Sequence, residues 1–147
     1  MKSMNLLIGI LLSGYSLFAQ SSEIFSTEEG ALRGYDPVAY FKTHDAIKGK
    51  KEFSFKQGNA TWYFSSAENL AAFKSSPEKF TPQYGGYCAY GASDGEGHKA
   101  PTQPDAWLII DGKLYFNYNK KIQSIWLQDT TNLIRRANAN WPKIKNQ

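Results

Sequence analysis

The stretch Ala106-Trp107-Leu108-Ile109-Ile110-Asp111-Gly112-Lys113-Leu114-Tyr115-Phe116-Asn117-Tyr118 decides the fold class. Two apolar runs flank Asp111-Gly112, a pair suited to a type I′ turn, whose two central residues both need positive φ. An antiparallel hairpin is predicted here. Upstream, Phe53-Ser54-Phe55 alternates apolar and polar residues, Gln57-Gly58-Asn59 has turn chemistry, and Thr61-Trp62-Tyr63-Phe64 is β-branched and aromatic. These features predict a second hairpin. Between the hairpins, Ser65 to Glu68 has the capping-box pattern ahead of Leu70, Ala71 and Phe73, which predicts a helix from Ser66 to about Ser75. Pro77 limits that helix, and Phe80 returns to the core. Downstream, Asn119 can cap a helix bearing Ile122, Ile125 and Trp126, and a second apolar set, Leu133, Ile134 and Ala137, follows after a break at Asp129 or Thr130. The expected fold class is a small single α+β domain, its two β-hairpins forming an antiparallel sheet packed by a short middle helix and C-terminal helices.

Near the N-terminus, Gly34-Tyr35-Asp36-Pro37-Val38-Ala39-Tyr40-Phe41 suggests one short helical turn, capped by Asp36 and carrying Val38, Tyr40 and Phe41 inward. Residues 20–30 read as a polar leader. No internal repeat and no low-complexity tract is evident. Residues 1–19 have a basic start, a short apolar run from Leu6 to Leu12, and a small residue, Ala19, at the expected cut, which are the three parts of a secretory signal. The run is too short to span a bilayer, so no stable membrane insertion is expected after cleavage. The processed chain is expected to be soluble and periplasmic or secreted.

Removing Lys2 with the signal takes 17 basic residues to 16 against 13 acidic ones, a balance of +3. Its basic residues are scattered rather than striped, which argues against nucleic acid as a partner. The single cysteine, Cys88, excludes an intramolecular disulfide, so stability must come from the core. With 4 Trp, 9 Tyr and 9 Phe, that core will be aromatic.

Thr81 to Pro104 is predicted to be a long loop, a feature that is uncommon inside compact domains and often functional. It contains Tyr84-Gly85-Gly86-Tyr87-Cys88-Ala89-Tyr90-Gly91, with three tyrosines and three glycines around the thiol. Glycines allow close backbone approach, and Tyr84, Tyr87 and Tyr90 offer apolar rings with polar tips, so the loop is a candidate wall for a small ligand or a docking surface for a protein partner. Only His44 and His98 are available as imidazoles. Cys88 with His98 is the one pairing worth naming, and it supports two readings. A soft thiolate and an imidazole suit Cu(I) or Zn(II). Alternatively, Cys88 is a small buried hydrophobe with a structural role. No catalytic constellation is recognisable, so non-enzymatic binding is favoured, and an oxidoreductase reading would rest on the thiol alone.

Gly58-Asn59-Ala60-Thr61-Trp62-Tyr63-Phe64-Ser65-Ser66, then Phe73 and Pro77-Glu78-Lys79-Phe80, resemble the core of a YHS domain. Together with Gly34 to Phe41, Tyr84 to Gly91, Asp111 to Tyr118 and Ala139-Asn140-Trp141-Pro142, they resemble the exported bacterial YHS-domain proteins, over about residues 31–144. The resemblance implies heavy-metal handling, with cysteine ligands in Asp-Pro-Val-Cys and Phe-Cys-Ser segments. This chain departs from that pattern. Ala39 follows Asp36-Pro37-Val38, Ser65 follows Phe64, and Asn69 lies where another cysteine often occurs. The family's cysteine site is therefore not carried over. Only Cys88, with His98 and a tyrosine, could hold copper or zinc.

Overall fold

The computed structural model describes residues 22–147, so the expected signal segment lies outside the described residues. A two-residue pair, β1 (Ser26–Thr27) and β2 (Gly30–Ala31), is followed by α1 (Ala39–Lys42), the hairpin β3 (Lys50–Gln57) and β4 (Ala60–Phe64), α2 (Ala67–Ser75) and α3 (Pro77–Phe80). Then come α4 (Ala89–Ser93), the hairpin β5 (Trp107–Ile110) and β6 (Lys113–Phe116), α5 (Lys120–Trp126) and α6 (Thr130–Ile144). This is a small α+β domain, as the pattern predicts. Both expected hairpins are present. Gly58 and Asn59 have φ of 64° and 57°, and Asp111 and Gly112 have φ of 51° and 73°. Two positive φ values in succession give the type I′ turn.

The hairpins do not merge into one sheet. Among the described residues each strand pair stands as a separate two-stranded antiparallel sheet. The reason lies in β5–β6, both of whose faces are apolar. Leu114 and Phe116 belong to one buried cluster, with Val38, Tyr40, Trp62, Phe64 and Phe73, and Trp107 and Ile109 pack against it. Tyr115 belongs to a second cluster with Tyr84, Trp126, Ala137 and Ile144, and Leu108 and Ile110 pack there. The alternation of a strand thus feeds two cores, and the hairpin is the partition between them.

A repeated plan, invisible as sequence similarity, organises the two sides. Leu32, Arg33 and Gly34 have three successive positive φ values (52°, 59°, 79°), and so do Tyr84, Gly85 and Gly86 (56°, 61°, 87°). Each left-handed triplet leads into an extended tyrosine, Tyr35 or Tyr87. Next comes a buried residue, Asp36 or Cys88, whose N–H donates to a later carbonyl: Ile47 O at 2.8 Å, or Ala100 O at 3.0 Å. A short helix, a hairpin and a capped helix follow in both halves. Ser66 Oγ accepts the Asn69 N–H at 3.1 Å, and Asn119 Oδ1 accepts the Ile122 N–H at 2.8 Å. Seven residues beyond each cap stands a fully buried aromatic, Phe73 or Trp126. Residues 32–80 and 84–144 thus follow one structural plan without an internal sequence repeat.

Three further expectations change. The cap of α2 is Ser66 rather than Ser65, because Ser65 is committed to Asp36 through both its N–H and its hydroxyl. The leader is no separate tail, since Ile24 and Phe25 are buried. The Phe25 N–H also donates to Gly85 O at 2.9 Å. The 81–104 loop contains α4 and the Tyr84–Gly86 triplet, elements too short to leave a periodic signal. Among the described residues no helix is long and apolar enough to cross a membrane.

Candidate functional site

Cys88 lies at the start of α4 with 1% of its surface exposed. Its Sγ accepts N–H donors from Gly91 at 3.4 Å and Tyr118 at 3.2 Å, and its S–H meets Asn117 Oδ1 at 3.6 Å. Sulfur thus serves as the cap of α4 and ties that helix to the end of β6. Burial pushes the thiol above its ordinary value, against the opposing pull of the Gly91, Tyr118 and Tyr90 N–H groups. A thiol held protonated and covered is a poor nucleophile and a poor metal ligand.

Asn117, which the sequence reading passed over, is the second member of this hub. Its Oδ1 also accepts the Tyr90 N–H at 3.2 Å, while its Nδ2 is buried with no partner among the described residues.

The three tyrosines take different places. Tyr84 is buried, its hydroxyl donating to Asn138 Oδ1 at 2.9 Å and its ring 5.9 Å from that of Trp141. Burial first, and Tyr115 second, raise its pKa well above the usual tyrosine range. Tyr87 is half-buried and donates to Ser22 O at 2.9 Å, with the Lys99 ammonium 5.3 Å from its ring centre. Tyr90 is half-buried and packs against the second core.

His98 is exposed, yet it is anchored to the same helix: its N–H donates to Gly91 O at 3.0 Å. A Cβ placed at Gly91 would meet His98 Nε2 at 3.2 Å, so glycine lets the imidazole lie along α4. His98 and Tyr87 line one shallow depression of about 380 Å³ with Lys99, Ile144 and Gln147.

Among the described residues no three His, Cys, Asp or Glu side chains come together as a cage, and the Cys88 sulfur is already committed to three partners. At the first hub, the positions where the YHS pattern would place cysteine are filled by other chemistry. Asp36 is fully buried, and its Oδ2 accepts the Ser65 N–H (2.8 Å), the Ser65 hydroxyl (2.6 Å) and Asn69 Nδ2 (2.7 Å). Its Oδ1 accepts the N–H groups of Val38 (2.8 Å) and Ala39 (3.3 Å). Ala39, Ser65 and Asn69 therefore do converge, and they converge on a carboxylate. This hub offers a single carboxylate, already holding five hydrogen bonds.

The glycines of the Tyr/Gly loop have a partner of their own. A Cβ on Gly85 would stand 1.8 Å from Glu23 O, so the backbone that approaches this loop closely is the chain's own leader. The loop's outer side opens differently. Pro82, Gln83, Tyr84 and Gly85 of the loop and Asn138, Trp141 and Pro142 of α6 line a groove of about 460 Å³. Glu23 and Glu78 stand among its lining residues. Its lining mixes aromatic surface with a few polar groups.

No family model, no curated protein and no solved structure matches this chain. The likeness to YHS domains accordingly rests on the sequence motifs.

Proposed function

We propose that this chain is an exported, YHS-like binding domain without catalytic activity, in which Cys88 is a structural cap and a small ligand is met by the groove between the Tyr/Gly loop and α6. The observation that carries this reading is the division of labour within the loop. The thiol and the glycines face the chain itself, whereas Tyr84 backs a groove walled by Trp141. Of the loop's groups raised by burial, Tyr84 lines this groove, whereas Tyr87 lines the other depression and Cys88 lines neither. A screen of small amines, sugars and aromatic acids against isotope-labelled protein is expected to shift the Trp141 indole and Gly85 amide signals, and a Cys88→Ser variant should respond alike. Absence of any groove response across the screen would end this reading.

The competing reading is Cu(I) or Zn(II) held by Cys88 and His98. One contact favours it, since Gly91 bonds to both residues, through its N–H to the sulfur and through its carbonyl to the His98 N–H. Titration of the protein beside a Cys88→Ala variant separates the two. Equal, weak uptake by both is the expected result. Stoichiometric binding lost with the sulfur would establish the metal site instead.

A further inference from the structure

The groove's lining points to a class of ligand, an inference that rests on the reading above. Among the described residues five aromatic rings have a lysine or arginine cation near the ring centre: Phe25, Tyr35, Phe55, Phe80 and Tyr87, at 5.1 to 5.4 Å. Trp141, the best ring type for such a contact, is among the many described rings without one, and it packs against the rings of Tyr84 at 5.9 Å and Tyr87 at 6.2 Å. It is half-buried, and it shares its groove with two carboxylates and no lysine or arginine. Glu23 is partly neutralised by Lys145 at 3.4 Å, but Glu78 is exposed and makes no salt bridge among the described residues. The groove is thus an acidic, aromatic enclave on a chain whose net charge is positive.

We propose that the groove takes a small organic cation, its charge met by Glu78 and Glu23 and its apolar body by Trp141, Tyr84 and Pro82. A carboxylate supplies the Coulomb attraction, and an indole face supplies the quadrupole attraction without demanding that the cation shed all its water at one point. A neutral molecule of equal shape would gain only the apolar contact, and an anion would be repelled.

Three probes of one shape test this: choline, its neutral isostere 3,3-dimethylbutan-1-ol, and the anion 3,3-dimethylbutanoate. Each is titrated into isotope-labelled protein while the Trp141 indole and Asn138 amide signals are followed. Choline is expected to bind about tenfold more tightly than the alcohol, the acid not at all, and Glu78→Gln to weaken choline about fivefold without disturbing the fold. Equal or tighter binding of the alcohol or the acid would overturn the cation assignment while leaving the groove a binding site. Silence at both signals with all three probes would also overturn it, and the broader screen above then decides separately whether the groove binds anything. A choline response unchanged by Glu78→Gln and by added salt would count as contradiction, because the charge would be playing no part.

Discussion

Asp36 and Cys88 occupy the same place in two halves of one molecule, yet they hold their surroundings with very different strength. The carboxylate accepts five hydrogen bonds, two of them backbone N–H groups at the start of α1 and three from Ser65 and Asn69. The thiol accepts two long backbone bonds and leaves the neighbouring Asn117 Nδ2 unpartnered among the described residues. The difference teaches that position, rather than chemistry, defines the role of Cys88. A left-handed triplet, an extended tyrosine and a following hairpin create a buried point at which a short helix must be capped, and either an oxygen or a sulfur acceptor can fill it. Charged hydrogen bonds are the stronger kind, so the first half is the more firmly tied.

This comparison can be broken most forcefully at Asp36. Asp36→Ala strands five buried or half-buried donors from Val38, Ala39, Ser65 and Asn69 and should lower stability by about 4 kcal/mol, read as a shifted urea midpoint with unchanged slope. A loss under about 1 kcal/mol would show that the hub is not what ties α1, β4 and α2 together. Next in size is Gly85→Ala, where a φ of 61° and a clash with Glu23 O must both be relieved. The expected cost is about 3 kcal/mol, accompanied by faster proteolysis near residues 22–25 as the leader detaches. Cys88→Ala should cost about 2 kcal/mol, the price of two unpaired N–H groups and a small cavity. A cost equal to that of Asp36→Ala would erase the claimed difference between the halves.

The smallest effect is the pH dependence that the thiol gives the second half. Burial raises the Cys88 thiol above its unfolded value, so the folded state retains a proton that the unfolded state releases. That contribution is fully present below the unfolded thiol pKa, about 8.5, and is lost as pH rises toward the folded value. Stability should therefore begin to fall above about pH 8.5, with Tyr84 and Tyr40, also raised mainly by burial, adding to the decline beyond about pH 10. In Cys88→Ser the decline should start only in the tyrosine range, as followed by urea midpoints at stepped pH.

The fold was largely legible in the sequence, for reasons that differ along the chain. Asp111-Gly112 and Gly58-Asn59 announce their hairpins because few other residues tolerate positive φ. Asn119 announces α5 because its side chain mimics a missing backbone acceptor. The pairing of the two halves was not legible. Gly34-Tyr35 and Gly86-Tyr87 are its only shared letters at the triplets, and Leu32, Arg33 and Tyr84 are not residue types that signal a left-handed backbone. The separation of the hairpins into two sheets was hidden too, since the sequence of β5 and β6 is apolar on both faces and does not say how many cores it serves. At the candidate site, the three tyrosines and three glycines around Cys88 mark the loop as unusual in composition. Composition could not reveal that its glycines seat the leader, nor that Asn138 and Trp141, some fifty residues on, complete a groove with Tyr84.

The most direct test of the account is the rate at which a small disulfide reagent labels Cys88 in the native chain. If the sulfur is a buried cap equivalent to Asp36, labelling should proceed only through opening of the structure, at least about a thousandfold more slowly than in urea, and it should accelerate in step with any destabilising substitution in the second half. Labelling in native buffer at the rate of a free thiol, or protection of that thiol by stoichiometric Cu(I) or Zn(II), would contradict it.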